Sequence, residues 1–271
     1  MDRTLVVALV VGVLQGVFEW LPISSEGNIT LYLVVIEGMD PTLAVQLSLF
    51  LHAGTGLAAC AYYRHELRTL LDAVPTWRLT GPAASESATV SFLVVGTLSS
   101  VVVGLLVYRL LTEFVTELAG GAFVALIGGL LVVTGLVQRV GDDWVTTRDD
   151  PSLVDAVLVG SLQGVAILPG VSRSGVTAGA LLLRGHEAID AFRLSFLLSI
   201  PAAFGAGVLV LLDVGVPSIP PPAAGVALVT SAVVGYATIG LLLAVVRRVS
   251  FWAVAIGLGV LAIVGGLGAG L

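Results

Sequence analysis

Arg173 sits in Leu168-Pro169-Gly170-Val171-Ser172-Arg173-Ser174-Gly175-Val176-Thr177, a glycine-punctuated polar turn between two oily segments, 153–167 and 176–183. No acidic residue lies near it in sequence. A guanidinium in such surroundings needs an anion, and its planar fork of donors suits a phosphate. The hydroxyls of Ser172, Ser174 and Thr177 add donors for the same guest, as do the backbone N–H groups that open the next helix. Gly170 joins this substrate-binding set. A second stretch, Gln15 to Asn28, has the complementary chemistry: the carboxylates of Glu19 and Glu26, the hydroxyls of Ser24 and Ser25, and the amides of Gln15 and Asn28.

Brought together, the two stretches make a phosphoryl-transfer site. Arg173 would neutralise phosphate oxygens, the following helix N-terminus would add N–H donors, and Glu19 would act as base or hold a divalent ion. Blander readings stay open. Glu19 could end a helix among headgroups, Arg173 could snorkel, and the serines could serve only the backbone groups freed by the turns. His52, on an apolar span beside Gly54, reads as a packed, hydrogen-bonded histidine rather than a ligand or base. Arg64, Arg68, Arg247 and Arg248 read as topology-setting residues that meet lipid headgroups.

Composition says where such a site must lie. With 57% hydrophobic and 11% charged residues and a mean hydropathy of +1.08, the chain belongs in a membrane. Several uncharged runs reach the 18 or so residues that cross a hydrocarbon core about 30 Å thick. They continue to the C-terminal end of the sequence, so one cleaved signal peptide does not account for them. The 33 glycines fit close helix packing in lipid. A single cysteine excludes an intramolecular disulfide. The three histidines have no metal-ligand spacing, and a net charge of −6 argues against nucleic acid as a partner.

The elements follow in order. An apolar helix over 5–20 stops at Leu21-Pro22, because proline disfavours helix in the residue before it. A polar stretch, 23–28, precedes an apolar run, 29–36, only about 12 Å long at helical rise. A re-entrant helical hairpin explains both arms. Spans are expected near 42–63, 86–109 and 119–139. The stretch 64–85, with charge, Pro75 and Pro82, reads as an aqueous loop. Asp142, Asp143, Asp149 and Asp150 mark the best division of the chain.

Beyond that division the pattern restarts. A second interrupted pair, 153–167 and 176–183, is followed by spans near 188–213, 222–246 and 249–268. Gly12-Val13-Leu14-Gln15-Gly16-Val17 aligns with Gly160-Ser161-Leu162-Gln163-Gly164-Val165, and each stretch runs through Leu-Pro and serines to a glycine, Gly27 or Gly175. Two corresponding helix-breaking segments point to a binding site near the midplane. The expected fold is therefore all-α and polytopic: six transmembrane helices plus two re-entrant hairpins. They form one integral membrane domain, with repeat one at about 1–140 and repeat two at about 151–271. Three spans per half invert the second half, so the two hairpins meet tip to tip. Arg64, Arg68, Arg78, Arg139, Arg148, Arg184, Arg247 and Arg248 fall on one side, against Arg3 and Arg109 on the other. That places both termini outside the cell membrane.

At these two stretches the sequence resembles the undecaprenyl-diphosphatase (bacitracin-resistance) family of membrane phosphatases. The Gln15-to-Asn28 run is similar to that family's acidic motif, and Pro169 to Thr177 is similar to its second motif. Leu51-His52-Ala53-Gly54-Thr55 and the run Phe192 to Pro201 resemble further family stretches. The resemblance implies hydrolysis of a polyprenyl diphosphate (undecaprenyl- or dolichyl-type) to the monophosphate and inorganic phosphate, which recycles a lipid carrier for envelope glycan assembly. It implies a site open to the outer face and help from a divalent cation, Mg2+ or Ca2+. Carried over by residue, Glu19 is the motif glutamate, Ser25 the motif serine and Arg173 the phosphate-binding arginine, with Ser172, Ser174 and Thr177 beside it. Gln15 stands where the family's first motif glutamate falls. Asn28 stands where a histidine is expected, and Glu26 where a threonine is usual. An asparagine does not shuttle protons near neutral pH, so two readings stay open: Glu26 stands in for the carboxylate missing at Gln15, or the site binds a lipid phosphate without cutting it.

The partners expected are the lipid diphosphate and membrane lipids, with a homodimer left open. Two other functions remain alternatives on sequence alone. A flippase or transporter of a lipid phosphate would use the same inverted, broken-helix plan, and a non-hydrolytic binder would use the same donors.

Overall fold

Glycine spacing decides which helices touch, and the computed structural model shows the contacts. It describes residues 2–79, 85–117, 120–141, 148–213, 219–245 and 251–269. Pro82, Asp142, Asp143, Arg247 and Arg248 lie outside the described residues. The elements are α1 (Arg3–Phe18), α2 (Ser25–Leu31) continuing as a π-helical turn (Tyr32–Ile36), α3 (Pro41–Tyr62) and α4 (Arg64–Ala73) with a 3-10 turn (Val74–Thr76). Then come α5 (Ser85–Glu117), α6 (Gly120–Gly141), α7 (Leu153–Val165), α8 (Arg173–Leu183), α9 (Ala188–Asp213), α10 (Pro221–Val245) and α11 (Phe251–Ala269). Among the described residues there is no strand; one isolated bridge pairs Arg148 with His186. Among the described residues four helices are long and apolar enough to cross a membrane, within Pro41–Tyr62, Glu86–Leu110, Ala188–Leu212 and Pro221–Leu241.

Two helical hairpins organise the rest. In the first, α1 and α2 diverge from a tip at residues 19–24 and come together at the far end. There Arg3 Nη2 donates to Glu37 Oε2 (3.0 Å) and the Tyr32 hydroxyl donates to Glu37 Oε1 (2.9 Å). In the second, α7 and α8 are closed at the base by Arg184 Nε donating to Asp155 Oδ1 (2.6 Å) and by the Arg148 N–H donating to the Gly185 carbonyl (2.9 Å). The tips touch. A Cβ added to Gly27 would stand 2.7 Å from the backbone nitrogen of Gly170, so a side chain there would push the hairpins apart.

Each hairpin packs on a long helix from the other half. Gly12 and Gly16 of α1 lie on α10, where an added Cβ would come within 2.7 Å of the Ala227 carbonyl and the Gly235 nitrogen. Gly160 and Gly164 of α7 lie on α5, at 2.2 Å from the Gly96 carbonyl and 2.8 Å from the Gly104 nitrogen. The aligned glycine pairs are thus close-approach surfaces of the small-xxx-small kind. Thr238 and Ser100 secure them, donating across the contacts to the carbonyls of Gly16 (2.8 Å) and Gly160 (2.9 Å). At the centre α3 packs on α9. Trp20, at the first tip, meets Phe196 of α9 edge to face (5.3 Å) and donates from Nε1 to the Gly235 carbonyl (3.0 Å).

Three expectations change. The stretch 64–85 is not simply a loop, since α4 forms within it: Leu70 is buried, Leu67 packs beside it, and Glu66 pairs with Arg193 of α9. Charge and nearby prolines masked that apolar spacing. The polar turns are also shorter than expected. Ser24 and Ser172 act as N-caps, accepting from Gly27 N (3.2 Å) and Gly175 N (3.1 Å), so helix starts at Ser25 and at Arg173. Finally, α5 extends past the expected end near 109 to Glu117.

Candidate active site

The caps fix the geometry of the tips. Ser24 holds φ at +59°, a left-handed conformation uncommon outside glycine. Its hydroxyl accepts from Gly27 N and also from Gly170 N (3.1 Å), so one oxygen ties the two tips together. A strained residue held by two bonds at a tip is a mark of a functional site. Across the same junction Ser174 Oγ donates to the Leu21 carbonyl (3.0 Å). Arg173, at the first position of α8, then projects back onto the first hairpin, where its Nη2 pairs with Glu19 Oε1.

Glu19 is the hub. Its Oε2 accepts from Gln15 Nε2 (2.8 Å) and from Ser25 Oγ (2.9 Å), and it lies 3.2 Å from His52 Nε2. The same His52 Nε2 is 3.5 Å from Glu26 Oε1. Glu19 and Arg173 are both nearly buried, at 4% and 14% side-chain exposure. The guanidinium is not exhausted by this pair, because Arg173 Nη1 is buried without a hydrogen-bond partner, and so is Glu26 Oε2.

Beyond these groups opens a cavity of about 300 Å³, lined at its polar end by Glu19, Glu26, His52 and Arg173. Its other walls, from α3, α5, α7 and α9, are mostly apolar, with Thr97, Ser100, Gln163 and Ser199 among them. Val101, Leu105, Val208 and Leu212, on the outer stretch of those walls, are among the exposed hydrophobic residues. The cavity therefore leads from a charged chamber to a flank of exposed apolar residues. A smaller void between the tips is lined by Ser24, Ser25, Glu26, Ser172, Arg173 and Ser174, among others.

The expected residues divide into two groups. Glu19, Ser24, Ser25, Glu26, Ser172, Arg173 and Ser174 converge on the chamber. Gln15 stands behind it, orienting Glu19 and donating to Thr55 Oγ1 (3.4 Å). Asn28 turns away, its Nδ2 donating to the carbonyls of Ile23 (2.7 Å) and Ser24 (2.8 Å). The Thr177 hydroxyl is taken up by the Arg173 carbonyl (2.7 Å) and Ser195 (2.6 Å), and the Gly170 N–H by Ser24.

His52 was missed in the sequence. It is hydrogen-bonded as expected, Nδ1 to the Ser48 carbonyl (2.9 Å), but the other nitrogen faces both carboxylates. The available signal was its place in the Leu51-to-Thr55 stretch, which carried no partner by spacing.

A divalent cation held by the protein fits poorly here. Glu19 Oε1 already faces Arg173, and Oε2 faces Gln15, Ser25 and His52, so a divalent ion would compete with cations and donors at both oxygens. No group of three His, Cys, Asp or Glu side chains among the described residues is arranged to hold a metal.

The profile of the bacitracin resistance protein BacA family matches residues 8–264, nearly the whole chain. The chain belongs to that family. A curated protein of Haloarcula marismortui, named undecaprenyl-diphosphatase, is 54% identical over 264 residues, covering 97% of each chain. Proteins of the same name from Methanococcoides burtonii (40% over 266 residues; 94% and 96% covered) and Geobacter sulfurreducens (35% over 253; 90% and 91%) are also similar. Family membership and the apolar helices make this BacA-family chain a multi-pass membrane protein.

Proposed function

We propose that this BacA-family chain hydrolyses a polyprenyl diphosphate of the undecaprenyl type to the monophosphate and inorganic phosphate, recycling the lipid carrier. The observation that carries the reading is the joining of a buried guanidinium, with Nη1 unpartnered, to a cavity whose far walls open onto exposed apolar residues. A diphosphate on an isoprenoid tail has that division of charge and oil. The names of the relatives support the same substrate.

In this reading the terminal phosphate binds Arg173, which gives up part of its contact with Glu19 to take phosphate oxygens in its fork. Ser172 and Ser174, with the N–H groups opening α8, complete the anion site. Ser25 is the nucleophile. It already donates to Glu19 Oε2 (2.9 Å), the arrangement of a hydroxyl with its base. Gln15 keeps that carboxylate oriented. The tail lies along Val101, Leu105, Val208 and Leu212, and all but its first isoprene units stay in the bilayer.

The membrane arrangement follows the inverted repeat. Helices α3, α5, α6, α9, α10 and α11 span, and the two hairpins are re-entrant from opposite faces. The arginine-rich loops are cytoplasmic, the termini outside and the chamber open to the outer face. Inorganic phosphate release by the purified protein from undecaprenyl diphosphate, with Arg173→Ala as control, tests the reaction. Lipid headgroups that cross liposome membranes without phosphate release would overturn it in favour of transport.

A further inference from the structure

We propose that His52, on α3, together with Glu26 is the proton-carrying group of the reaction, the imidazole that position 28 of the motif lacks in this chain. The inference rests on the hydrolase reading above.

The hydrogen bonds constrain where the protons are. The Ser48 carbonyl can only accept, so His52 Nδ1 carries a hydrogen. Nε2 then faces Glu19 Oε2 at 3.2 Å and Glu26 Oε1 at 3.5 Å. Glu19 stays ionised against Arg173. Between Nε2 and Glu26 there is therefore one proton to share. At rest the imidazole is charged and donates to both carboxylates, because a proton moved to Glu26 would turn the Nε2 lone pair onto ionised Glu19 Oε2 at 3.2 Å. A second proton would set a donor against a donor, and none would set two acceptors face to face. Glu19, Glu26 and Arg173 are the charged groups that share the chamber with His52. The shared proton lies at the chamber wall, because His52 and Glu26 line both the large cavity and the void between the tips. Asn28 is anchored to two carbonyls of the turn and lines neither cavity.

The cycle balances. As Ser25 Oγ bonds to the terminal phosphorus, the bridging P–O bond breaks and its electron pair stays on the oxygen of the polyprenyl monophosphate. That oxygen takes the proton shared by His52 and Glu26, while the serine proton passes to Glu19. In the second step water attacks the phosphoserine. One water proton refills the His52–Glu26 pair, the other stays on the inorganic phosphate, and Ser25 Oγ recovers its proton from Glu19. The pair is acid first and base second.

The test uses the full-length protein in detergent, His52→Gln and His52→Ala, with undecaprenyl diphosphate as substrate and a polyprenyl methylenediphosphonate as binding probe. His52→Gln should lower kcat by about 10²- to 10⁴-fold, the usual contribution of a positioned acid or base. Probe affinity should stay within about threefold, and the fall of kcat on the alkaline side of the pH profile should disappear. Added imidazole should restore part of the turnover of His52→Ala. Turnover of His52→Gln near the wild-type level with an unchanged pH profile would overturn the proposal while leaving the hydrolase reading intact. So would loss of probe binding with no rescue by imidazole, which marks a purely structural role. Absence of phosphate release from the wild-type protein would instead remove the hydrolase reading, and this inference with it.

Discussion

Removing Arg173 is the most informative perturbation, because the structure separates its effect on stability from its effect on chemistry. Arg173→Ala leaves Glu19 at 4% side-chain exposure without the cation that faces Oε1, although Gln15, Ser25 and His52 still serve Oε2. Breaking a buried pair by deleting one partner costs about 3–5 kcal/mol, because the other charge stays desolvated. Retained donors on Oε2 put the expected loss near the low end, about 3 kcal/mol. The double variant Arg173→Ala/Glu19→Gln removes the stranded charge and should recover most of that stability. It should recover none of the phosphate release, since an arginine on transferring phosphoryl oxygens contributes about 10³- to 10⁵-fold. Arg173→Lys should keep stability better than activity, because one ammonium cannot serve Glu19 and a phosphate as a fork does. Thermal unfolding in detergent and a phosphate-release assay read the two effects. If Arg173→Ala were as stable as the wild type and released phosphate at an unchanged rate, neither the desolvated pair nor the anion site would survive.

Three further outcomes follow from packing. Gly160→Val should destabilise by about 1–3 kcal/mol or more, the overpacking cost, since even a Cβ would lie 2.2 Å from the Gly96 carbonyl; unfolding in detergent checks it. Gly205→Leu should leave stability unchanged, as nothing lies within 4 Å of an added Cβ, yet it should raise KM for a long-chain diphosphate by filling the cavity it lines. Steady-state kinetics with C15 and C55 substrates would show the effect growing with chain length. Asp155→Asn should cost about 1–3 kcal/mol, because the buried carboxylate receives Arg184 Nε (2.6 Å), Ser152 Oγ (2.6 Å) and Ser152 N (2.8 Å) at the base of the second hairpin. Proteolysis at 148–152 should quicken in that variant and not in the wild type.

Much of the architecture was readable without coordinates. Apolar runs became α3, α9 and α10 almost as bounded, and α5 with a longer C-terminal end, because lipid leaves the backbone of such a run no alternative to helix. The repeated Gly-x-x-x-Gly stretches marked the two hairpins, and the breaks after them marked the tips. Arginine and carboxylate in opposite tips implied a meeting, since neither charge is tolerable alone in that setting. Residue types and their order along the chain were enough for these conclusions.

What only the tertiary structure decided was the facing of each polar group. Asn28, Gly170 and Thr177 stand within a few residues of the chamber, yet their polar atoms are spent on the Ser24 carbonyl, the Ser24 hydroxyl and Ser195. His52 arrives from a helix 33 residues beyond Glu19 and points into the chamber. The packing of each hairpin on a helix from the opposite half was equally invisible, as was α4. The physical reason is common to all of them. Hydropathy is a property of a stretch, whereas a hydrogen bond depends on helix phase and on which backbone carbonyl or hydroxyl a distant element brings within about 3 Å.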